Sequence, residues 1–174
     1  MALPDKINPD ELDIDIVSDN DDISTLNCRE SDSTDPLGVQ DFLETKAQIY
    51  SKNNLTSLWR VKYKGKIVAF FSLSMSSIGL DDVPRSKQVK EMTARYPALL
   101  IGQMGVDKNY RGRKIGDAIC KHCIGLARKF NERIACACIT LQTTEDKASY
   151  YQQYFFETTR KLRNGQVAMY LSTT

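Results

Sequence analysis

The stretch from residue 98 to residue 130 constrains this chain more than any other. Residues 98–106 form a short, nearly unbroken apolar run, the pattern of a buried strand. Residues 107–110 interrupt it with polar turn formers. Arg111-Gly112-Arg113-Lys114-Ile115-Gly116 then opens a helical pattern, in which Ile115, Ile119, His122, Leu126 and Phe130 recur three or four residues apart and share a face. A second apolar run, residues 134–141, has the character of a strand buried on both sides and parallel to the first. Strand, helix and strand make a right-handed βαβ crossover. Ligands of such units bind beyond the carboxyl ends of the strands, where Arg111 to Gly116 lies.

The turn into that helix has a chemistry of its own. A helix begins with backbone N–H groups that lack intrahelical partners and with the positive end of its dipole. Gly112 and Gly116 keep no side chain over those amides, and Arg111, Arg113 and Lys114 add full positive charge. Such a turn cradles a phosphate or pyrophosphate. Neither the Walker spacing nor the G-x-G-x-x-G fingerprint is present. From the residues alone, an anion cradle and a basic helix start with incidental glycines stand as equal readings.

Val106-Asp107 followed by Tyr110-Arg111-Gly112-Arg113-Lys114-Ile115-Gly116 resembles the acetyl-CoA pyrophosphate loop of the GNAT superfamily of N-acetyltransferases, whose pattern is [QR]-x-x-G-x-[GA]. Arg111 takes the first position and Gly116 the last, while Lys114 stands where the central glycine is expected. Downstream, Ala148-Ser149-Tyr150-Tyr151-Gln152-Gln153-Tyr154-Phe155-Phe156-Glu157 resembles the second signature of the family, a tyrosine followed four residues later by Gly-Phe-Glu, with Phe155 replacing the glycine. The two matches stand in the family's order, and the resemblance extends from residue 12 to the end of the chain, weakest at the start.

The resemblance implies a single α/β domain over residues 12–174: a mixed, mostly antiparallel twisted sheet with a central parallel βαβ unit and flanking helices. It implies acetyl-CoA as cosubstrate, held by Met104, Gly105, Val106, Arg111, Gly112, Arg113, Lys114, Ile115, Gly116, Asp117 and Thr144. In the family the central strand bulges so that backbone amides face the pantetheine and the acetyl carbonyl; these amides would be those of Met104, Gly105 and Val106. Backbone donors aimed at a developing oxyanion are worth a few kcal/mol. Tyr151 matches the reactive tyrosine, the general acid that protonates the leaving thiolate. Without the resemblance, Tyr150, Tyr151 and Tyr154 would read as packing aromatics. No general base stands out. His122 reads as structural, and Gln103 can position a water but cannot take a proton.

The resemblance implies an amine as acceptor. The first expectation is a primary amine of a protein or small molecule, attacked directly. The alternatives are the amino group of aminoacyl-tRNA, as in toxin-type members that the segment from Cys28 to Leu43 loosely resembles, or a non-catalytic module that binds acetyl-CoA. Charge bears on this choice. Residues 1–45 hold 13 carboxylates and 2 cations, while residues 46–174 hold 9 and 22. A basic body attracts a polyanion, CoA or RNA.

Cys28, Cys120, Cys123, Cys136 and Cys138 fall in helix and strand patterns, not in turn-like knuckles, so they read as core residues and no metal is expected. No apolar run has transmembrane length, and the start of the chain is acidic, unlike a signal peptide. A cytoplasmic protein is expected, with a homodimer compatible.

The remaining chain divides readily. Residues 1–11 read as a loose acidic lead-in. A half-exposed strand spans 12–17, a short helix 21–27 and an amphipathic helix 39–51. Strands at 58–63 and 67–75 flank a Lys64-Gly65-Lys66 turn. Residues 76–97 form a long charged segment with a short helix at 86–93. Thr144 caps a helix that runs to 153, Phe155 and Phe156 enter a strand, and a strand at 167–171 follows the Asn164-Gly165 turn.

Overall fold

A computed structural model describes residues 4–89 and 95–173. Its strands are β1 (Leu12–Ile16), β2 (Ser57–Tyr63), β3 (Lys66–Gly79), β4 (Arg95–Val106), β5 (Cys138–Thr144), β6 (Glu157–Lys161) and β7 (Gln166–Ser172). Its helices are α1 (Val39–Thr45), α2 (Ala47–Lys52), α3 (Ile115–Asn131) and α4 (Ala148–Gln152). The sheet has seven strands in the order β1-β2-β3-β4-β5-β7-β6. β4 and β5 are parallel and joined through α3, whereas β1/β2, β2/β3, β5/β7 and β6/β7 are antiparallel. This is the mixed α/β sheet with a central βαβ unit that the sequence implies. The chain groups into two compact units, one comprising Met1–Leu73 and Gln103–Lys121, the other Ser74–Gly102 and His122–Thr174.

In the first unit the core gathers Ile23, Leu26, Cys28, Val39, Phe42, Leu43, Ala47, Leu58 and Phe70. Asp35 starts α1, its carboxylate accepting the Val39 and Asp41 amides at 2.8 and 2.9 Å. The Asp21 side chain is only 1% exposed and meets Lys62 Nζ at 2.5 Å and Arg60 Nε at 3.5 Å. The hydrogen bond from Lys62 holds its carboxyl well below the usual carboxylate range. The β2–β3 turn uses Lys64 and Gly65, both at positive φ, as a tight hairpin requires.

In the second unit Ile78, Val83, Tyr96, Ala98, Cys138 and Tyr170 pack together. β4 pairs with β5 over Ala98–Ile101 against Cys138–Leu141, and β4 then continues to Val106. β6, at the sheet edge, is a polar strand whose sequence, ETTRK, discourages further pairing.

Several expectations are corrected. The lead-in is not loose from Pro4 onward: Ile7 is 5% exposed and Pro9–Glu11 form a 3₁₀ turn. The buried stripe of α3 is Ile115, Ala118, Ile119, Cys120, Cys123 and Ala127, while His122, Leu126 and Phe130 are half-buried. Small side chains let a helix approach closely, so the larger residues fall to the flanks. β5 starts at Cys138 rather than 134, leaving Ile134 65% exposed. The long segment shrinks because β3 reaches Gly79 and β4 begins at Arg95; of the helix expected at 86–93, only a 3₁₀ turn at Arg85–Lys87 is seen, and residues 90–93 lie outside the described ones. Two short helices, α1 and α2, replace the single one at 39–51. The helix after Thr144 is a 3₁₀ turn, Glu145–Lys147, followed by the five residues of α4, and β6 begins only at Glu157.

Candidate active site

The first unit holds Met104 to Asp117, the residues that the sequence resemblance assigns to acetyl-CoA binding. Met104, Gly105 and Val106 end β4, Met104 and Val106 half-buried and Gly105 buried. A Cβ on Gly105 would stand 2.6 Å from Cys28 Sγ and 2.9 Å from both Phe70 and Val39. The glycine is therefore required by packing beneath the strand, a reason separate from the backbone freedom that a bulge uses. Gln103 is fixed on the same strand, its amide donating to Ser72 Oγ at 2.9 Å.

Asp107 closes the strand and is buried. Its amide donates to the Val68 carbonyl, and its carboxylate accepts the Asn27 amide at 2.9 Å and both the amide and side chain of Asn109 at 2.9 and 3.0 Å. Arg111 points its guanidinium at the same neighbouring segment. Nη2 donates to the Cys28 carbonyl at 2.6 Å, Nη1 pairs with Glu30 at 3.0 Å, and Nε donates to the Val106 carbonyl at 3.3 Å. Arg111 thus fastens the loop to residues 28–30 and to the end of β4. Arg113 lies over the Tyr110 ring, 5.5 Å from its centroid. Lys114 Nζ pairs with Asp117 at 3.0 Å.

The loop's backbone explains the motif. Gly112 has φ +76, and Lys114, at the position of the family's central glycine, has φ +70. The left-handed conformation is kept although the glycine is not, at a cost of roughly 1–2 kcal/mol for a residue with a Cβ. The Ala118 amide donates to the Lys114 carbonyl at 3.2 Å, so the amides of Ile115, Gly116 and Asp117 precede the first intrahelical bond. Ile115 is buried and anchors this end of α3. Over the other side of the loop lies the leading segment: the Ile7 amide donates to the Arg113 carbonyl at 3.1 Å, and Pro4 would be 2.9 Å from a Cβ on Gly112. Glu30, Asn27, Pro4 and Ile7 carry no motif. Only their contacts reveal them.

The second unit holds Thr144 and Tyr151. Thr144 precedes the 3₁₀ turn, and its nearby hydroxyl holds the Asp146 carboxyl below the ordinary range. Tyr151 is half-buried on α4, its ring 5.1 Å from that of Tyr150 at 83° and 6.1 Å from that of Phe156. The Tyr151 carbonyl accepts the Tyr154 amide at 3.0 Å and the Phe156 amide at 3.4 Å, which ends α4. Phe155, at the second motif glycine, has φ +69. All five cysteines are buried as free thiols, and burial pushes those of Cys28 and Cys138 up to about 12. Among the described residues no group of three His, Cys, Asp or Glu side chains is placed to hold a metal.

The tRNA-acetylating toxin of Mycobacterium tuberculosis (strain ATCC 25618 / H37Rv) is 22% identical over 142 residues, which cover 81% of each chain. Among solved structures, AtaT complexed with acetyl-methionyl-tRNAfMet superposes with a TM-score of 0.78 at 16% identity, covering 93% of this chain and 95% of the other. A tyrosine-to-phenylalanine mutant of AtaT, bound to the C-terminus of the antitoxin AtaR and acetyl-CoA, gives 0.70 at 14% identity, covering 94% of both chains. These likenesses show the fold. The model of the acetyltransferase (GNAT) family matches residues 21–155, a span that includes the fastened loop, α3 and Tyr151, and the chain belongs to that family.

Proposed function

We propose that this chain transfers the acetyl group of acetyl-CoA to the amino group of an aminoacyl-tRNA. The observation that carries the reading is the likeness, over 81% of both chains, to a tRNA-acetylating toxin. The relatives turn the balance away from the first expectation, a protein or small-molecule amine, and toward its alternative.

The loop supplies the donor site. Two left-handed residues, Gly112 and Lys114, set the backbone leading into α3, and the first-turn amides of Ile115, Gly116 and Asp117 meet the pyrophosphate with the positive end of the helix dipole. Arg113 and Lys114 add charge at the rim. Arg111 serves from behind, holding the loop to Cys28, Glu30 and Val106. The amides of Met104, Gly105 and Val106 orient the pantetheine and polarise the thioester carbonyl, and Thr144, in the second unit, is a further candidate for binding the donor.

The chemistry follows from the thioester. The neutral amine attacks the acetyl carbonyl, a C–N bond forms, and the C–S bond breaks. The sulfur takes a proton from the Tyr151 hydroxyl, and the proton given up by the amine nitrogen returns through water to the tyrosinate. A phenol near pKa 10 can protonate a thiolate whose acid lies near 8.5, an uphill transfer of only about 2 kcal/mol that conversion of thioester to amide drives. A tRNA acceptor is consistent with a cytoplasmic location. AtaT's antitoxin complex adds a kind of partner that the sequence did not suggest, a protein that binds the enzyme.

Purified protein with acetyl-CoA and panels of aminoacyl-tRNAs, peptides and polyamines tests this. Turnover with charged tRNA, yielding N-acetyl-aminoacyl-tRNA, is expected. Turnover with peptides or polyamines and none with charged tRNA overturns it.

A further inference from the structure

Phe155 is 82% exposed, the most exposed large apolar side chain among the described residues. Its backbone is left-handed, a conformation that strains any residue with a Cβ. The exposed ring buries little apolar surface on folding. The turn at Phe155 swings the chain so that Phe156, 2% exposed, reaches the core beside Tyr151. A glycine makes that turn without strain.

The ring's surroundings indicate what it meets. Gln152, Gln153, Glu157 and Thr158 around it in sequence are exposed and polar. A protein partner would bury a continuous apolar patch, whereas a nucleobase needs one flat ring in a polar, cationic setting. Cations lie just beyond it: Arg160 and Lys161 on β6, and Arg163 in the next turn. Arg160 meets Asp82 at 2.8 Å and Lys161 meets Glu145 at 2.9 Å, with the two cationic side chains 56% and 78% exposed. The Lys161 pair is exposed on both sides and weak, so a phosphate can displace Glu145, whereas Asp82, only 19% exposed, keeps Arg160. Tyr151 lies four residues before Phe155 in the same unit. The reacting amine of an aminoacyl-tRNA is carried by the last nucleotide of an unpaired end, so unpaired bases arrive wherever Tyr151 works.

We propose that the Phe155 ring is a stacking platform for an unpaired base at the acceptor end of aminoacyl-tRNA, with Lys161 and Arg163 steering the adjoining phosphates. The inference rests on aminoacyl-tRNA being the acceptor. Three variants test it: Phe155→Gly, Phe155→Leu and Phe155→Trp, assayed at varied aminoacyl-tRNA and varied acetyl-CoA, with thermal unfolding as the control on folding. For Phe155→Gly the KM for aminoacyl-tRNA rises about tenfold, in the range of one lost base stack, while kcat and the KM for acetyl-CoA hold and the unfolding temperature does not fall. Phe155→Trp restores the parent KM, and Phe155→Leu, apolar but not flat, does not. An unchanged KM in Phe155→Gly, or full rescue by Leu, overturns the stacking role while leaving the acceptor reading intact. Absence of turnover with any aminoacyl-tRNA in the parent protein overturns both.

Discussion

Lys114 and Phe155 share a backbone angle, φ +70 and +69, at the two places where the family's signatures have glycine. Their side chains fare very differently. Lys114 turns back on the first turn of α3 and pairs with Asp117, within a loop fastened by Arg111, Asp107 and Ile7. Phe155 faces solvent beyond a short helix whose aromatic rings pack on one another. The backbone at each site is dictated by the residues just downstream, a helix start in one case and a core phenylalanine in the other. The residue identity must then be explained by what the side chain meets. In the loop that is charge. After α4 it is a ring with no ring partner among the described residues.

The largest effect that separates these regions is on chemistry. Tyr151→Phe removes the proposed proton donor and leaves the loop untouched, so turnover is expected to fall by roughly 10²–10⁴-fold, the range for a general acid, while acetyl-CoA affinity by calorimetry is unchanged. Tyr150→Phe does little to the rate. Full activity of Tyr151→Phe would remove the second region from the reaction and leave water as the donor.

Next comes the fastening of the loop. Arg111→Ala weakens acetyl-CoA binding by about 1–3 kcal/mol, as for a lost charge-assisted hydrogen bond. Glu30→Gln decides how. Because Glu30 holds Arg111 inward at 3.0 Å, weakening that pair loosens the loop and lowers affinity. Were Arg111 instead a direct phosphate ligand, releasing it from Glu30 would raise affinity. Calorimetry on both variants reads the sign.

The smallest effect compares the two left-handed residues directly. Phe155→Gly relieves the strained angle and raises stability by about 1 kcal/mol. Lys114→Gly relieves the same strain but gives up the Asp117 pair, worth about 0–1 kcal/mol when exposed, so its net change is smaller. Chemical denaturation of both variants orders them. A larger gain for Lys114→Gly would break the comparison.

Legibility in the sequence depends on what each element rests on. The strand–loop–helix centre is readable because its signals are local: an apolar run, turn residues, glycines and a periodic helix. The face of α3 misleads because periodicity gives large residues more weight than small ones, whereas close packing selects Ala118, Cys123 and Ala127. The run at 134–141 starts the strand too early because apolar residues do not reveal where pairing begins, and Cys138 pairs only once it lies opposite Ala98. The role of Arg111 is hidden because its partners lie more than 80 residues away, at Cys28 and Glu30. The seating of Pro4 and Ile7 has no periodicity behind it, only one amide and one ring against the loop. Both motif departures are visible as residues, but their left-handed angles come only with the structure.

The burial of every cysteine has a practical consequence for measurement. A thiol-reactive dye added to the folded enzyme meets no accessible protein sulfhydryl, since all five are enclosed, and three are further disfavoured from ionising. The colour it develops during turnover counts released CoA alone. On unfolding, five new reactive groups appear per chain. One reagent therefore reads catalysis below the melting transition and the fraction unfolded across it, so a variant that is slow can be told from one that is falling apart in a single cuvette.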